Sequence, residues 1–150
     1  MSYSELSKTI TTSLDKNEKK SNGIYFTSQE IIKKMIKMLG RRRFKRILEP
    51  CYGSGEFIKE LSKKYKKSRI EGIEMNEMMT ELCEKNEDMK GENIELKRGD
   101  YLKTDFEVGY DLIIGNPPFY VMKRGDVEKD YLKYIEGRPN IFVLFILKSL

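Results

Sequence analysis

Residues 47–57 read Ile-Leu-Glu-Pro-Cys-Tyr-Gly-Ser-Gly-Glu-Phe, and this stretch decides the fold of the chain. A short apolar run predicts a strand, Gly53 and Gly55 predict a tight turn, and apolar residues at helical spacing follow. Glycines let the backbone bend sharply and let a ligand approach it closely, and the first amides of the next helix point at that ligand. Taken alone, the pattern also fits an ordinary tight connection between a strand and a helix.

Acidic residues flank this turn and bear on the kind of ligand it suits. Glu49 ends the predicted strand and Glu56 follows the turn, so a pyrophosphate at this position would be repelled. No Gly-Lys-Ser/Thr follows the glycines, so the phosphate loop of nucleoside triphosphatases is absent. The turn therefore suits a cationic or zwitterionic cofactor better than a phosphate.

Strands and helices alternate on both sides of the turn. Apolar residues at helical spacing predict a helix over 31–39 behind a capping-box pattern at 27–30, and a second helix behind an Asn76 N-cap. Residues 120–139 are polar and predict a loop, and an apolar helix begins near Asn140. Strands are predicted at 47–49, 69–75, 94–97 and 110–115. This order predicts an α/β fold with a doubly wound parallel sheet.

The first 22 residues differ in composition from the rest of the chain. Residues 1–22 are rich in Ser, Thr, Lys and Glu and show no apolar stripe, which predicts a mobile lead-in with at most a short helix near Tyr3–Leu14. The domain proper is then expected over residues 23–150.

Composition excludes several classes of chemistry. The 150 residues suit one domain, and 29 Lys and Arg against 24 Asp and Glu give a net charge of +5, a weak hint of an anionic partner. The absence of His excludes Ser-His-Asp and Cys-His catalysis, and Cys51 and Cys83 form no Cys-x-x-Cys, so no metal site is predicted. No apolar run approaches the length of a membrane span and the N-terminus is polar, so neither a membrane segment nor a secretory signal is predicted, and an intracellular, cytoplasmic location is expected.

Two more acids follow the next two predicted strands. Glu74 ends the second strand, where an acidic residue can accept hydrogen bonds from both ribose hydroxyls of a nucleoside. Asp100 follows the third strand and could accept from an adenine amino group, while Tyr101 or Met75 could cover the ring. Because the carboxyl ends of parallel strands meet at one edge, these acids and Glu49 are expected to converge on one crevice.

An Asn-Pro-Pro-Phe turn follows the apolar fourth strand. The prolines remove two N–H donors, so the side-chain oxygen of Asn116 and the carbonyl of Pro117 could both accept from one amino group. Such acceptors favour the nucleophilic form of that nitrogen, and Phe119 offers a face on which an extruded base could stack. An isolated turn of this kind also fits a rigid loop with a buried Phe.

Together these motifs resemble the S-adenosylmethionine-dependent amino-methyltransferases, specifically the DNA adenine-N6 type whose cofactor motifs precede the target-recognition region. The resemblance covers about residues 23–150 and is strongest at residues 111–119 (Asp-Leu-Ile-Ile-Gly-Asn-Pro-Pro-Phe). Residues 25–30 look like the family's N-terminal motif. Residues 140–145 look like the motif that follows the Asn-Pro-Pro-Phe turn, which is the catalytic turn of the family. The resemblance implies the Rossmann-like sheet of class I methyltransferases, S-adenosylmethionine as cofactor, and a DNA methylase of the restriction-modification kind.

The resemblance also implies roles for single residues. Thr27 would help to hold the methionine carboxylate, and Glu49 would face the methionine end. Glu74 would bind the ribose, Asp100 the adenine amino group, and Phe145 would touch the adenine. The predicted cofactor-binding residues are Thr27, Glu49, Cys51, Gly53, Gly55, Phe57, Glu74, Met75, Asp100, Tyr101 and Phe145, and the predicted catalytic residues are Asn116, Pro117, Pro118 and Phe119.

The implied reaction is direct in-line transfer of a methyl group to the exocyclic N6 amine of an extruded adenine in DNA. It needs no covalent enzyme intermediate, so the missing His is no obstacle. The Pro50-Cys51 pair is similar to that of cytosine-C5 methyltransferases, where the cysteine follows the fourth strand. Here it lies in the glycine turn, so Cys51 is predicted to pack near the cofactor and not to act as a nucleophile.

The sequence departs from the family pattern after the fourth strand. The family's sheet has seven strands, whereas four are predicted here, and the target-recognition region is not found. The C-terminal strands are therefore expected in a longer protein or in a second chain, or the 150-residue chain is an inactive cofactor-binding or partner subunit. The same turn also serves RNA-base, cytosine-N4 and protein-glutamine methylation, although the Thr27 motif favours the DNA class.

Basic residues occur in two runs and near the catalytic turn. Residues 41–46 and 63–67 precede a strand and end a helix, so both are expected at the sheet edge opposite the crevice. A solvated face is the better interpretation of each run. Lys123, Arg124 and Lys129 follow the catalytic turn and are better placed to meet phosphates.

Overall fold

A computed structural model describes residues 2–15, 17, 19, 22–105 and 109–150. Its helices are α1 (Glu5–Ser13), α2 (Gln29–Met38), α3 (Glu56–Lys64), α4 (Glu77–Glu84), α5 (Lys129–Leu132) and α6 (Ile141–Ser149). Its strands are β1 (Arg46–Glu49), β2 (Arg69–Glu74), β3 (Ile94–Arg98) and β4 (Leu112–Ile113). Short 3-10 turns lie at Glu87–Met89 and Arg124–Asp126. Among the described residues, no helix is long and apolar enough to cross a membrane.

The strands form one parallel sheet in the order β3-β2-β1-β4, as the alternation of strands and helices predicts. Each predicted strand is present, although β4 pairs over two residues only, Leu112 with Ile47 and Ile113 with Leu48. Within the described residues β4 has a single neighbour, and its chain soon enters the paired prolines, which cannot donate to a ladder. The carboxyl ends of all four strands lie at one edge, here called the carboxyl edge, and their starts form the amino edge.

Alternate residues of the strands point into two separate cores. Ile47 and Ile70 face α2 and α3, where Ile58 and Leu61 are fully buried against them. The other face buries Leu48, Ile73 and Tyr101 beneath Ile141 and Phe145. Burying one such side chain stabilises the fold by roughly 1.5–3 kcal/mol, so both faces of the sheet are tied to helices. The doubly wound prediction is thereby confirmed.

The N-terminal residues do more than precede the domain. Leu6, Ile10 and Leu14 lie four residues apart on α1, and Ile10 and Leu14 pack with Met79 of α4. The prediction that residues 1–22 lack an apolar stripe is wrong for this helix, because three apolar residues at that spacing form a narrow stripe within a polar sequence. Residues 16, 18, 20 and 21 lie outside the described residues, and the domain boundary at residue 22 stays a prediction.

Two local predictions need correction at the level of single turns. The N-cap of α2 is Ser28, one residue later than the capping-box pattern indicates, and its side chain makes no capping hydrogen bond. The Glu30 carboxylate instead accepts from the backbone N–H of Ser2 at 2.8 Å. Residues 120–139, predicted as a loop, contain α5 and one 3-10 turn. The predicted N-caps Asn76 and Asn140 are confirmed, since each side chain accepts from a backbone N–H of the first helical turn.

Candidate functional site

A cavity of about 640 Å³ opens at the carboxyl edge of the sheet. This volume is within the range of small-molecule and cofactor sites. Predicted site residues that line it are Thr27, Glu49, Cys51, Gly53, Phe57, Glu74, Met75, Asp100, Tyr101, Asn116, Pro118 and Phe145. Gly55, Pro117 and Phe119 are not among the lining residues. Residues from separate strand ends thus converge on one crevice, as the topology predicts.

Glu49 is the most unusual group in the cavity. Its side chain is 2% exposed, and its Oε2 atom has no hydrogen-bond partner among the described residues. Burial raises the pKa of Glu49 well above its usual range, the charge of Glu74 raises it further, and the Ile58 backbone opposes the shift. A buried carboxylate oxygen without a partner is costly, and a bound cation or N–H donor would compensate it. Glu49 therefore suits a ligand that carries an ammonium group.

Glu74 connects the glycine turn to the end of β2. One of its carboxylate oxygens accepts from the Gly53 N–H at 2.9 Å and the other from the Asn76 N–H at 2.8 Å. Burial raises the pKa of Glu74, although these backbone hydrogen bonds oppose the shift. Each carboxylate oxygen can accept more than one hydrogen bond, so Glu74 can hold the turn and still accept from a ligand hydroxyl.

The nucleoside side of the cavity is built from residues that follow β2 and β3. Asp100 accepts from the Leu102 N–H at 3.0 Å, and its other oxygen lies 3.6 Å from the Lys103 Nζ. The Tyr101 ring is buried and lies 5.0 Å from the Phe145 ring, centroid to centroid, whereas Met75 is exposed. Met75 thus offers an exposed apolar side chain, whereas the Tyr101 and Phe145 rings form a buried aromatic wall.

The two glycines of the turn have different surroundings. Gly53 lines the cavity at a φ of 54°, and a Cβ there would lie 3.3 Å from the Phe26 ring. Gly55 is the N-cap of α3 at a φ of 74°, and a Cβ there would lie 2.8 Å from the Met89 sulfur. Gly55 is therefore needed for the left-handed turn and for packing beneath it. Its predicted part in cofactor binding stays a prediction.

Glu56 lines the cavity, and the N-terminal residues supply hydrogen-bond donors to its carboxylate. Its carboxylate accepts from the Ser4 N–H at 3.1 Å, the Ser7 hydroxyl at 2.6 Å and the Gln29 amide at 3.3 Å. Burial raises the pKa of Glu56, but the hydrogen bonds from Ser4 and Ser7 outweigh it and the net shift is downward. Glu56 therefore anchors the N-terminal residues on the glycine turn.

Cys51 joins the glycine turn to the Asn-Pro-Pro-Phe turn. Its thiol donates to the Asn116 carbonyl at a distance of 3.3 Å. Burial raises the pKa of the thiol well above its usual range, and the charge of Glu49 raises it further. A thiol that stays protonated is a poor nucleophile. The geometry therefore agrees with a packing role for Cys51.

The segment before α2 braces the Asn-Pro-Pro-Phe turn. The side-chain NH₂ of Asn116 donates to the Tyr25 carbonyl at 2.8 Å, which turns the side-chain oxygen of Asn116 away from Tyr25. The Phe119 N–H donates to the Gly23 carbonyl at 3.2 Å. Gly23 has a φ of 59°, and a Cβ there would lie 2.5 Å from the Phe119 backbone. The brace leaves the Asn116 oxygen available to accept from another amine, since Asn116 lines the cavity.

Exposed aromatic rings stand beside the cavity mouth. Phe119 is 44% exposed, and its ring meets the Tyr25 ring edge-on with centroids 6.4 Å apart. The Phe142 ring lies 5.7 Å from that of Phe119 on another side. The alternative of a buried Phe in a rigid loop is thereby excluded. An exposed ring of this kind can stack on a planar ligand.

Sequence reasoning missed some residues of the site. Tyr25 and Phe26 were assigned only to the motif at residues 25–30 and Gly23 to none, yet Tyr25 and Phe26 line the cavity and Gly23 fits closely against Phe119. The available signal was a glycine, Gly23, followed closely by the two aromatic residues Tyr25 and Phe26. Further lining residues without a predicted role are Asn76, Tyr120, Met122, Tyr131, Ile141 and Leu144. Lys123, Arg124 and Lys129 are exposed near this side, and their contact with phosphates stays a prediction.

Solved structures with the same architecture define the class of fold. A proposed class I S-adenosylmethionine-dependent methyltransferase from Listeria monocytogenes superposes with a TM-score of 0.65 at 16% identity, over 95% of this chain and 46% of that one. Coclaurine N-methyltransferase, solved with N-methylheliamine and SAH, superposes with a TM-score of 0.51 at 16% identity, over 71% of this chain and 34% of that one. The fold is that of the class I S-adenosylmethionine-dependent methyltransferases.

The family model of the N-6 DNA methylases matches residues 7–149, and the chain belongs to this family. Type II methyltransferase M.CvrRI of Paramecium bursaria Chlorella virus XZ-6E is 37% identical over 137 residues, which is 91% of this chain and 34% of that protein. Type II methyltransferase M.AccI of Acinetobacter calcoaceticus is 32% identical over 147 residues, which is 92% of this chain and 27% of that protein. The chain thus spans about a third of the length of these curated relatives.

Proposed function

We propose that the protein transfers a methyl group from S-adenosylmethionine to the exocyclic N6 amine of adenine in DNA. The observation that carries the proposal is the orientation of Asn116. Its amide NH₂ is engaged by the Tyr25 carbonyl, so its oxygen is left to accept from a substrate amine in the same cavity as the unpartnered Glu49 oxygen. A cofactor site and an amine-holding turn therefore share one crevice.

The residues present fit S-adenosylmethionine. Glu49 would pair with the methionine ammonium, because its buried oxygen lacks a partner. Glu74 would accept from the ribose hydroxyls and Asp100 from the adenine amino group, with Tyr101 and Phe145 beside the ring. Thr27 also lines the cavity, and its hydroxyl would donate to the methionine carboxylate. When bound, the cofactor supplies a methyl group on a positively charged sulfur.

The catalytic turn would act by position and hydrogen bonding. The Asn116 side-chain oxygen and the Pro117 carbonyl would accept the two N–H bonds of the target amine and direct its lone pair into the cavity. Phe119, exposed at the mouth, would stack on the extruded base and exclude water from one face. Neither role requires a His or a Cys nucleophile.

Target recognition would come from residues beyond these 150 or from a second chain. The relatives are about three times as long, and among the described residues the sheet has four strands. A DNA-associated, intracellular location stays a prediction.

The test is methyl transfer to unmethylated DNA by the intact protein with tritiated cofactor. We expect incorporation to be lost in Asn116→Ala and kept in Asn17→Ala, a control on the exposed surface. Nucleoside analysis of the product should show N6-methyladenine. N4-methylcytosine, a methylated RNA base or methylated glutamine would assign another substrate to the same chemistry. Cofactor binding without any incorporation would indicate an inactive partner subunit and would overturn the proposal.

A further inference from the structure

Two basic runs that are separate in the sequence come together at the amino edge of the sheet. Residues 41–43 follow α2 and residues 66–67 follow α3. The Ser68 hydroxyl donates to the Phe44 carbonyl at 2.6 Å, and the Phe44 and Tyr65 rings meet edge-on with centroids 5.3 Å apart. The surface formed by the two runs and the ends of α2 and α3 is here called the amino-edge basic surface. Its exposed cations are Lys37, Arg41, Arg42, Arg43, Lys63, Lys64, Lys66 and Lys67.

Most of these cations have no acidic partner among the described residues. Elsewhere on the described surface, ion pairs join Lys8 to Glu5, Lys59 to Asp88, Lys85 to Glu81, Lys90 to Glu87 and Arg98 to Glu77. On the amino-edge basic surface, Lys63 pairs with Glu60 and Lys64 donates to the Ile36 carbonyl. The remaining six, Lys37, Arg41–Arg43, Lys66 and Lys67, have no ion pair within the described part of the chain. Exposed cations without an ion pair, such as Lys123 and Lys129, also occur elsewhere on the described surface, so the distinguishing feature here is the number of such cations at one edge of the sheet.

Favourable interaction with the helix dipoles explains the positions of only some of these cations. Lys37 lies in the last turn of α2, and Lys63 and Lys64 lie in the last turn of α3, where cations stabilise a helix. Residues 41–43 and 66–67 lie beyond the helix ends. The neighbouring Asp111 carboxylate accepts from the backbone N–H groups of Lys45 and Arg46, and this single negative charge offsets only part of their mutual repulsion. An external polyanion would offset it.

We propose that the amino-edge basic surface binds the phosphate backbone of duplex DNA, at a segment different from the one whose base enters the cavity. The catalytic turn follows the carboxyl end of β4, whereas this surface lies at the strand starts, so one short duplex cannot reach both by entering the crevice. Arginine side chains suit phosphate oxygens through paired N–H donors. The choice of DNA as the polyanion rests on the proposed function. Contacts to phosphates alone make this binding independent of sequence and sensitive to salt.

The experiment compares the intact protein with a variant in which Arg41, Arg42, Arg43, Lys66 and Lys67 are replaced by Gln. Fluorescence anisotropy measures affinity for a long duplex that lacks any target adenine, over a series of NaCl concentrations. The plot of log K against log salt should be shallower by about 0.9 for each lost phosphate contact, up to about 4.5 for five contacts. A matched control replaces five ion-paired cations by Gln: Lys8, Lys59, Lys85, Lys90 and Arg98.

The outcomes separate this proposal from the proposed function. The amino-edge variant should keep the wild-type kcat and KM for methyl transfer on a duplex just long enough to fill the crevice. A salt slope equal to that of wild type, or an equal change in the control variant, would overturn the proposal. If wild type transfers no methyl group but the slope difference persists, the surface stands and the proposed reaction fails.

Discussion

The carboxyl edge of the sheet collects buried carboxylates, whereas the amino edge collects exposed cations. Glu49 is 2% exposed and sits beside Glu74 at the ends of neighbouring strands. Arg41, Arg42 and Arg43 stand in solvent at the other end of the same sheet. A buried charge interacts strongly with any ligand because little water screens it, whereas exposed charges are screened by salt and act by their number. The first edge suits one small cofactor and the second suits an extended polyanion.

The largest expected effect tests the chemistry of the carboxyl edge. Asn116→Ala should reduce methyl transfer by about 10²–10³-fold, since it removes one of two acceptors that hold the target amine. Single-turnover transfer with the intact protein measures this rate. Binding of S-adenosylhomocysteine, measured by calorimetry, should stay close to that of wild type. A cofactor affinity that falls as much as the rate would move Asn116 to the cofactor side of the site.

The next effect tests the buried charge itself. Glu49→Gln should weaken binding of S-adenosylhomocysteine by roughly 10–100-fold, because a charge-assisted hydrogen bond to the ammonium is lost. The same variant should unfold at a higher temperature than wild type without ligand, since it removes the negative charge that burial and the neighbouring Glu74 both disfavour. Calorimetry and thermal unfolding measure the two changes. Glu92→Gln, on the exposed surface, is the control and should alter neither.

A smaller effect is expected from the brace between Gly23 and Phe119. Gly23→Ala should lower kcat about tenfold with little change in cofactor affinity, because the new Cβ displaces the Phe119 backbone and with it the catalytic turn. Gly40→Ala is a matched control, since Gly40 has a similar φ of 63° but nothing within 4 Å of an added Cβ. It should lose about 1 kcal/mol of stability and keep its kcat. Equal kinetics for the two variants would refute the brace.

The smallest effect concerns pH. Because burial raises the pKa of Glu49, the folded protein binds the proton of this carboxyl group more tightly than the unfolded chain does. The stability that Glu49 contributes is therefore lost as pH rises from about 4.3, the ordinary pKa of Glu, through the raised pKa of the folded state. Urea unfolding at a series of pH values should show wild type losing stability relative to Glu49→Gln across that range, by at most about 1.4 kcal/mol per pH unit. Saturating S-adenosylhomocysteine should reduce the difference. A pH-independent difference would mean that Glu49 is already compensated.

Local patterns were sufficient to predict much of the fold. The predicted strands at 47–49 and 69–75 form β1 and β2, in which the apolar residues Ile47, Leu48, Ile70 and Ile73 are buried as a parallel strand requires. The Asn76 cap and the glycine turn follow from single-residue preferences that act over a few neighbours. The convergence of Glu49, Glu74 and Asp100 followed from topology alone, since parallel strands share a carboxyl edge.

The wrong predictions depend on contacts between distant residues. The stripe of α1 was overlooked because its three apolar residues become meaningful only when Met79 packs against them. The partners of Glu56 were not predicted either, because its carboxylate accepts from Ser4 and Ser7, which lie 52 and 49 positions earlier in the chain. No window of sequence around Glu56 contains that information.

The sequence by itself determined the positions of the strands, the glycine turn, the acids at the strand ends and the Asn-Pro-Pro-Phe turn. Each of these features depends on residues that are adjacent in the chain. Tertiary structure alone decided that Glu49 lacks a partner, that Tyr25 orients the Asn116 amide across 91 positions, and that two basic runs form one surface. Hydrogen-bond satisfaction and charge density depend on which distant groups meet, and only the folded chain specifies those neighbours.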